Sequence, residues 1–325
     1  MMGLSDKDQV EESSVVLDSL HPAELESGLP SKDQVTVVLP TLNEEDGIGK
    51  VIDGLRREGY NSILVVDGYS TDDTVKIAKG KGVEVVFQCG GGKAGAVKTA
   101  IDYVKTPYML VMDADYTYDP KDIKRMLAYI SGYDEVIGLR KNRSNIPLLH
   151  RIGNRLISTV LSLLMGQRIS DPCSGMYMLK TESAKDLELT SRSFDVEVEI
   201  AAQFSSVGKV TEVPIDYKKR VGKSKLQSWR AGFSILATVF KIAWLYNPVF
   251  LLSAIAGFFT VPGVIILLWQ LYLRYIFGAE RWSLGWSWLG LVFLIIGVQG
   301  FTISTVSLLL KRMERRIIQA TRRNR

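Results

Sequence analysis

The sequence predicts an α/β domain built on a mostly parallel sheet, followed by interfacial amphipathic helices and two C-terminal transmembrane helices. Three observations predict it. Short β-branched or apolar runs alternate with helical stretches between Gln34 and about Tyr217. Residues 250–272 and 286–310 contain no charged side chain. The polar motifs fall just after the apolar runs, at the strand ends where such sheets bind ligands.

Residues 1–33 are polar, rich in Asp, Glu and Ser, and lack an apolar h-region, so they read as a flexible segment rather than a signal peptide. The globular domain is expected over 34–224. Its strands are predicted at 35–39, 62–66, 83–87, 108–112 and 135–139. Ser70-Thr-Asp-Asp73 resembles a capping box opening a helix through Lys79, and Asp119-Pro120 caps a helix over 121–130. After Leu139 the alternation breaks. A helix over 148–165 carries Arg151 and Arg155 on a polar face, with Leu156, Ile157, Val160, Leu161 and Leu164 on an apolar one. Residues 225–246 form a second amphipathic stretch with Trp229, Phe233, Leu236, Phe240 and Trp244. Each either lies in a membrane interface or packs against the sheet.

The two uncharged stretches, within a hairpin over 247–310, approach the roughly 20 to 25 apolar residues that cross about 30 Å of hydrocarbon. A pair of buried core helices is the alternative, for which their length and lack of charge are wrong. Trp282, Trp286 and Trp288 sit where an interfacial aromatic belt belongs. The tail over 311–325 begins Lys311-Arg-Met-Glu-Arg-Arg316 and adds Arg322, Arg323 and Arg325. The positive-inside rule puts it in the cytoplasm, and two spans return the N-terminal domain to the same side, so both termini are expected there. Much of the net charge of +5 lies in this tail, which favours anionic lipid over nucleic acid as partner. Cys89 and Cys173 are too few for a disulfide framework, and no Cys/His spacing suggests zinc.

Pro40-Thr-Leu-Asn-Glu44 follows the first strand and Asp67-Gly-Tyr-Ser70 the second. The fourth, Tyr108-Met-Leu-Val-Met-Asp-Ala-Asp115, ends on two carboxylates one residue apart. Carboxylates at the edge of a core are costly unless a cation meets them, so the pair suggests a divalent metal and a phosphate. Gly90-Gly-Gly-Lys-Ala-Gly95 also satisfies the dinucleotide fingerprint G-x-G-x-x-G. It lies on the third strand rather than the first, however, and no Ser or Thr follows Lys93 to make a Walker loop.

In order, strand-P-T-x-N-E, strand-D-G-x-S-x-D and D-x-D resemble the nucleotide-sugar site of inverting glycosyltransferases of family 2, which have the GT-A fold. The resemblance narrows to polyprenyl-phosphate hexosyltransferases, including dolichol-phosphate mannose and glucose synthases, and covers 35 to about 244. It implies that Glu44 and Asp67 contact base and ribose, in a nucleotide-sugar site with Pro40, Thr41, Asn43 and Ala114. It further implies that Asp113 and Asp115 hold Mg²⁺ or Mn²⁺ against the diphosphate. Two Asp one apart on an extended segment point opposite ways, so Asp115 is expected to ligate directly and Asp113 through water or sugar. The mannose synthases commonly carry Gln two residues further on. Thr117 stands there, a weaker or water-mediated third metal ligand.

Lys93 lies near the donor diphosphate by the same resemblance, or is a solvated lysine at a helix start. Asp171-Pro-Cys-Ser-Gly-Met-Tyr177 resembles D-x-x-S-G-F, which makes Asp171 the candidate catalytic base for a sugar acceptor. A phosphate acceptor is already ionised near neutral pH and leaves Asp171 to shape the sugar site. Phe194-Asp-Val-Glu-Val-Glu199 resembles F-D-x-E, with Glu197 or Glu199 meeting sugar hydroxyls. Lys219-Arg-Val-Gly-Lys-Ser-Lys225 resembles R-x-x-G-x-S-K. Arg140, Arg151, Arg155, Arg220 and Lys225 are then the candidates for a lipid phosphate.

The expectation is a membrane-anchored enzyme that moves a hexose from a UDP or GDP sugar to polyprenyl or dolichyl phosphate, with the bilayer as partner and room for a homo-oligomer through the membrane helices. A polysaccharide synthase is one alternative, but it usually carries Q-x-x-R-W, whereas Gln227-Ser-Trp-Arg230 is followed by Ala231. A catalytically silent nucleotide-sugar-binding scaffold is the other.

Overall fold

The computed structural model describes residues 30–142, 145–189, 196–220 and 248–323, with short pieces between 237 and 244. It divides into two compact units. The first runs through Ser162 and resumes from Gln167 to Ile235; the second comprises Leu163–Gly166 and the chain from Leu236.

In the first unit, strands β1 (Val35–Thr41), β2 (Ile63–Asp67), β3 (Glu84–Phe87), β4 (Tyr108–Met112), β5 (Glu135–Arg140), β6 (Met176–Lys180) and β7 (Val210–Ile215) form one sheet in the order β3-β2-β1-β4-β6-β5-β7. Helices α1 (Glu45–Arg57), α2 (Thr74–Gly80), α3 (Gly92–Tyr103), α4 (Ile123–Ile130), α5 (Leu148–Met165), α6 (Thr181–Lys185) and α7 (Val196–Val207) connect them. The central strands read as nearly continuous apolar runs because both their faces are covered. Val35, Val37 and Leu39 of β1 pack with Ile48, Val51 and Leu55 of α1 in one core. Val38 belongs to a second core with Val97 and Ala100 of α3 and Ile200 and Phe204 of α7. Alternate residues of one strand thus serve opposite cores.

The parallel pairs β1/β2, β1/β4 and β2/β3 match the expected alternation, and β5 pairs parallel with β7. Strands β6 and β7 lie beyond the point where the sequence pattern breaks. β6 is antiparallel to both β4 and β5, with Met112 opposite Met176. The residues leading into β6 therefore share a sheet edge with those leaving β1, β2, β4, β5 and β7. That edge carries the polar motifs.

The expected capping start for α2 is corrected. Ser70 is held by Asp67, and the backbone N–H and hydroxyl of Thr74 donate instead to Asp72 Oδ1 at 3.0 and 2.5 Å. Asp119 does cap its turn, accepting from Lys121 N–H at 3.2 Å. On α5, Ile157 and Leu161 are buried while Leu148, Ile152 and Leu156 are exposed, together with Arg151 and Arg155. The 225–246 stretch lies largely outside the described residues.

The second unit contains α8 (Pro248–Phe277) and α9 (Leu284–Arg323), and both are long and apolar enough to cross a membrane. They pack as an antiparallel hairpin. Ser253 and Ser304 hydroxyls meet at 2.7 Å, and Ser283 N–H near the turn donates to Gln270 Oε1 at 2.9 Å. A Cβ at Gly297 would collide with Thr260 Oγ1, so backbones approach closely there, as small residues allow in apolar surroundings. The helix α9 continues through the basic tail to Arg323.

One buried charge in the sheet stands apart from the polar edge. Glu135, 1% exposed in β5, leaves Oε2 without a hydrogen-bond partner. Burial, and then the nearby Glu212, push its carboxyl well above the ordinary 4.5. A raised folded-state value makes the group a growing liability as pH climbs above the unfolded value, where only the unfolded chain readily loses the proton. Glu135→Gln should accordingly raise the melting temperature, with a gain that is small near pH 4 and widens towards pH 8 in thermal scans.

Candidate active site

Two loops interlock at the ends of β1 and β2. Asn43 N–H donates to Ser70 Oγ at 2.8 Å, Thr71 N–H to Asn43 Oδ1 at 2.7 Å, and Glu44 N–H to Thr74 Oγ1 at 2.8 Å. Asp67 is fully buried. It accepts from Thr41 Oγ1 at 3.2 Å and from Ser70 N–H and Oγ at 2.7 and 2.6 Å. A carboxylate so taken up organises the loops. Asn43, Tyr69 and Tyr116 have φ of 51°, 64° and 64° and are the non-glycine positive-φ residues among those described. They follow β1, β2 and β4, and such backbone strain is a habit of ligand sites.

The D-x-D loop is wedged between two glycines. A Cβ on Gly47 in α1 would stand 2.5 Å from the Ala114 carbonyl oxygen, and one on Gly175 would collide with the Asp113 carboxylate. Only hydrogen at these positions leaves space for the loop. Gly175 is further held by donating to Tyr118 Oη at 2.8 Å.

Lys93 Nζ lies 2.5 Å from Asp113 Oδ1 and 2.5 Å from Glu197 Oε1, and its side chain is only 10% exposed. Burial opposes its charge, but Asp113 and Glu197 outweigh burial and hold the ammonium well above the usual lysine value. Burial pushes the Glu197 carboxyl up, with Lys93 opposing. Lys93 is thus a buried countercharge fixing Asp113.

Asp115 faces other partners. Its Oδ1 accepts from Thr117 N–H at 3.1 Å and Thr117 Oγ1 at 2.5 Å, and its Oδ2 lies 3.3 Å from Arg220 Nη1. Burial, and then Asp113, raise its carboxyl despite Thr117 and Arg220. Arg220 Nη2 also bonds Glu44 Oε1 at 2.6 Å. Among the described residues no group of three or more His, Cys, Asp or Glu is disposed to hold a metal. The donor set nevertheless fits Mg²⁺ or Mn²⁺, which commonly takes one or two carboxylates and completes its shell with substrate phosphate oxygens and water. Asp115 is the carboxylate of the pair that is not paired with Lys93, and its Oδ2 meets Arg220 instead. The Thr117 hydroxyl donates its proton to Asp115 and orients that carboxylate.

Asp171 is 1% exposed and accepts from Arg140 Nε at 2.7 Å and Nη2 at 2.6 Å, a two-pronged pair. Its loop hangs on Glu212, which accepts from Ser170 N–H at 2.8 Å and Asp171 N–H at 2.7 Å. Arg140, 7% exposed, lies over the Tyr217 ring at 5.3 Å.

The model of the family described as glycosyl transferase family 2 matches residues 36–187. Glycosyltransferase AglJ of Haloferax volcanii is 36% identical over 252 residues, covering 75% of this chain and 83% of that protein. The chain belongs to glycosyltransferase family 2. A protein of the same organism, named dolichyl-phosphate hexose transferase, is 33% identical over 216 residues, covering 65% of this chain and 94% of its own. The glucosyl-3-phosphoglycerate synthase of Mycobacterium tuberculosis, solved with Mn²⁺, UDP-glucose and phosphoglyceric acid, shares the fold at TM-score 0.56 and 21% identity, covering 69% of this chain and 84% of that one. The fold is GT-A-like.

Within this family 2 enzyme, two ion-pair networks flank Ala114 on the D-x-D loop: Lys93 with Asp113 and Glu197, and Arg220 with Glu44 and Asp115. Pro40 pairs with Val66 in the sheet, and Thr41 turns to Asp67. Arg151 and Arg155 stand apart as exposed residues of α5, and Lys225, Phe194 and Asp195 lie outside the described residues. Glu212 and Tyr118 were given no role by the sequence reading, and Gly175 entered it only as the glycine of the D-x-x-S-G-F resemblance. The alternation in Val210-Thr-Glu-Val-Pro-Ile215 was the available signal for β7 and hence for Glu212.

Removing a buried countercharge strands its partners. Lys93→Met should cost about 3–5 kcal/mol in denaturant unfolding, by the usual scale for breaking a buried pair. Adding Glu197→Gln to that variant should recover part of the loss.

Proposed function

We propose that this glycosyltransferase moves a hexose from a nucleoside-diphosphate sugar to polyprenyl or dolichyl phosphate, using Mg²⁺ or Mn²⁺. The observation that carries the proposal is Asp115, a carboxylate suited to a hard cation, lying 3.3 Å from Arg220, a guanidinium suited to phosphate. Support comes from the relative named dolichyl-phosphate hexose transferase and from two helices long enough to anchor the chain in a membrane. The exposed Leu148, Ile152, Leu156, Arg151 and Arg155 of α5 suit an interface with anionic headgroups. The catalytic unit and both termini then face the cytoplasm, on the side of the basic tail.

In the proposed reaction a lipid phosphate oxygen attacks the anomeric carbon, forming a new C–O bond as the bond to the nucleoside diphosphate breaks. In-line displacement turns an α-linked donor into a β-linked product. The cation, when bound, stabilises negative charge on the departing diphosphate as a Lewis acid. Glu44 holds the nucleoside end of the donor, and Asp115 fixes the cation side. Asp113 and Glu197, which share Lys93 as their countercharge, form the floor beneath the sugar. No general base is required, because a phosphate monoester with a second pKa near 6 is already largely dianionic at neutral pH. Asp171, locked by Arg140, is accordingly a shaping residue. Arg220 is the cation for the acceptor phosphate.

The test is transfer by the purified full chain from a panel of labelled UDP and GDP sugars to polyprenyl phosphate, with Mn²⁺ or Mg²⁺ and with chelator. We expect labelled lipid from one donor class, loss on chelation, and a fall of roughly 10²–10³-fold for Asp115→Asn, the scale of losing a principal electrostatic contact. No lipid product from any donor would sink the acceptor assignment. Transfer to a glycan instead would favour a synthase, and a cellular role surviving Asp115→Asn would favour a scaffold.

A further inference from the structure

The segment that delivers Arg220 is tied to the D-x-D loop along its length. After β7, Asp216 N–H donates to Asp122 Oδ2 at 2.8 Å, Tyr217 bridges Tyr118 antiparallel, and Lys218 N–H donates to the Thr117 carbonyl at 2.8 Å. Lys218 Nζ adds a 2.7 Å contact to Asp119 Oδ2, and the rings of Tyr118 and Tyr217 pack edge to face. Two residues later the guanidinium of Arg220 spans Glu44 Oε1 at 2.6 Å and Asp115 Oδ2 at 3.3 Å.

Two features mark this as one of two positions for the side chain. Arg220 engages both carboxylates that the proposed donor and cation require, and a dication drawing on Asp115 Oδ2 meets a positive charge already on that oxygen. Two cations sharing one carboxylate oxygen repel across a partly dry site. The second feature is Arg220 Nε, which is buried and has no hydrogen-bond partner. A guanidinium is a planar fork of five donors that suits two-pronged phosphate binding, and its current arrangement leaves part of that capacity unused.

We infer that Arg220 is an exchange residue. It holds Glu44 and Asp115 while the donor site is empty, and is released to take the acceptor phosphate when cation and nucleotide arrive. The inference rests on the reading of the acceptor as a phosphate monoester. Binding is then ordered, with donor and cation before acceptor, and an acceptor that reaches first finds its arginine occupied. By thermodynamic reciprocity, whatever draws Arg220 off Asp115 must tighten the cation by the same factor that the cation tightens it.

The test reads Mn²⁺ affinity, by electron paramagnetic resonance of the free ion, on the full chain in detergent. Arg220→Met keeps the aliphatic stem and removes the charge. We expect it to bind Mn²⁺ roughly three- to fivefold more tightly than wild type without nucleotide, the size of losing one partly exposed competing ion pair. Arg220→Lys, which keeps the charge but replaces the two-pronged fork with a single nitrogen, should fall between. In wild type with UDP, citronellyl phosphate should tighten Mn²⁺ further, and Arg220→Met should abolish that increment. Glycerol 3-phosphate in a parallel arm separates the contribution of the phosphate from that of the isoprenyl chain: an equal increment assigns the exchange to phosphate alone, a smaller one adds the chain. Unchanged or weaker Mn²⁺ binding in Arg220→Met, or an increment that survives in it, overturns the exchange. Because the readout is independent of turnover, failed transfer to polyprenyl phosphate with tighter Mn²⁺ in Arg220→Met would defeat the acceptor assignment alone. Transfer without any Mn²⁺ change would defeat the exchange alone.

Discussion

The ammonium of Lys93, almost wholly withdrawn from water, lies between carboxylates that come from two distant parts of the chain, Asp113 after β4 and Glu197 in α7. Gathering acidic groups at the edge of an apolar sheet is unfavourable, and each needs a cation or a row of donors before the sheet can close beneath it. The neighbouring acids meet the same demand differently. Asp67 uses hydroxyl and backbone donors, Asp171 the fork of Arg140, and Asp115 and Glu44 share Arg220. Among the described residues the carboxylates of this edge outnumber its cationic side chains, which suits the dication of the function we propose.

Topology makes this arrangement achievable. Because β6 runs against its neighbours, the loop from Asp171 to Gly175 enters the sheet beside the end of β4 rather than at the opposite edge. Gly175 then packs directly on Asp113, while Glu212 from β7 fixes the backbone of Asp171. A parallel strand in the same slot would carry its preceding loop to the far side. The strained backbones at Asn43, Tyr69 and Tyr116 lie at the same edge, where hydrogen bonds between loops offset their cost.

The hairpin of α8 and α9 follows different rules. Close backbone approach at Gly297, the paired hydroxyls of Ser253 and Ser304 and the edge-to-face rings of Phe259 and Phe293 join these helices, contacts of the kind that hold helices together where the surroundings are as apolar as leucine. In the function we propose, the site around the D-x-D loop serves the nucleotide-sugar half of the reaction. The apolar and basic side of α5 and the anchor account for an acceptor that never leaves the bilayer surface, in the function we propose.

Much of this was legible in the residue pattern. Uncharged runs of membrane-spanning length, and apolar strands ending in Glu44, Asp67 and Asp115, follow from local composition and periodicity, which depend on neighbours in the chain. Strands β6 and β7 were not legible, since the first is a short run behind a long helix and the second alternates only weakly. Nor was the partner of each charge. Glu44 and Arg220 are 176 residues apart, and Asp171 and Arg140 are 31 apart. The sequence alone determined which residue types stand at strand ends. Strand order and direction decided which of them touch, turning Asp67 inward, giving Arg140 to Asp171 and leaving Asp115 to face Arg220, because an ion pair is set by distance in space and not by distance along the chain.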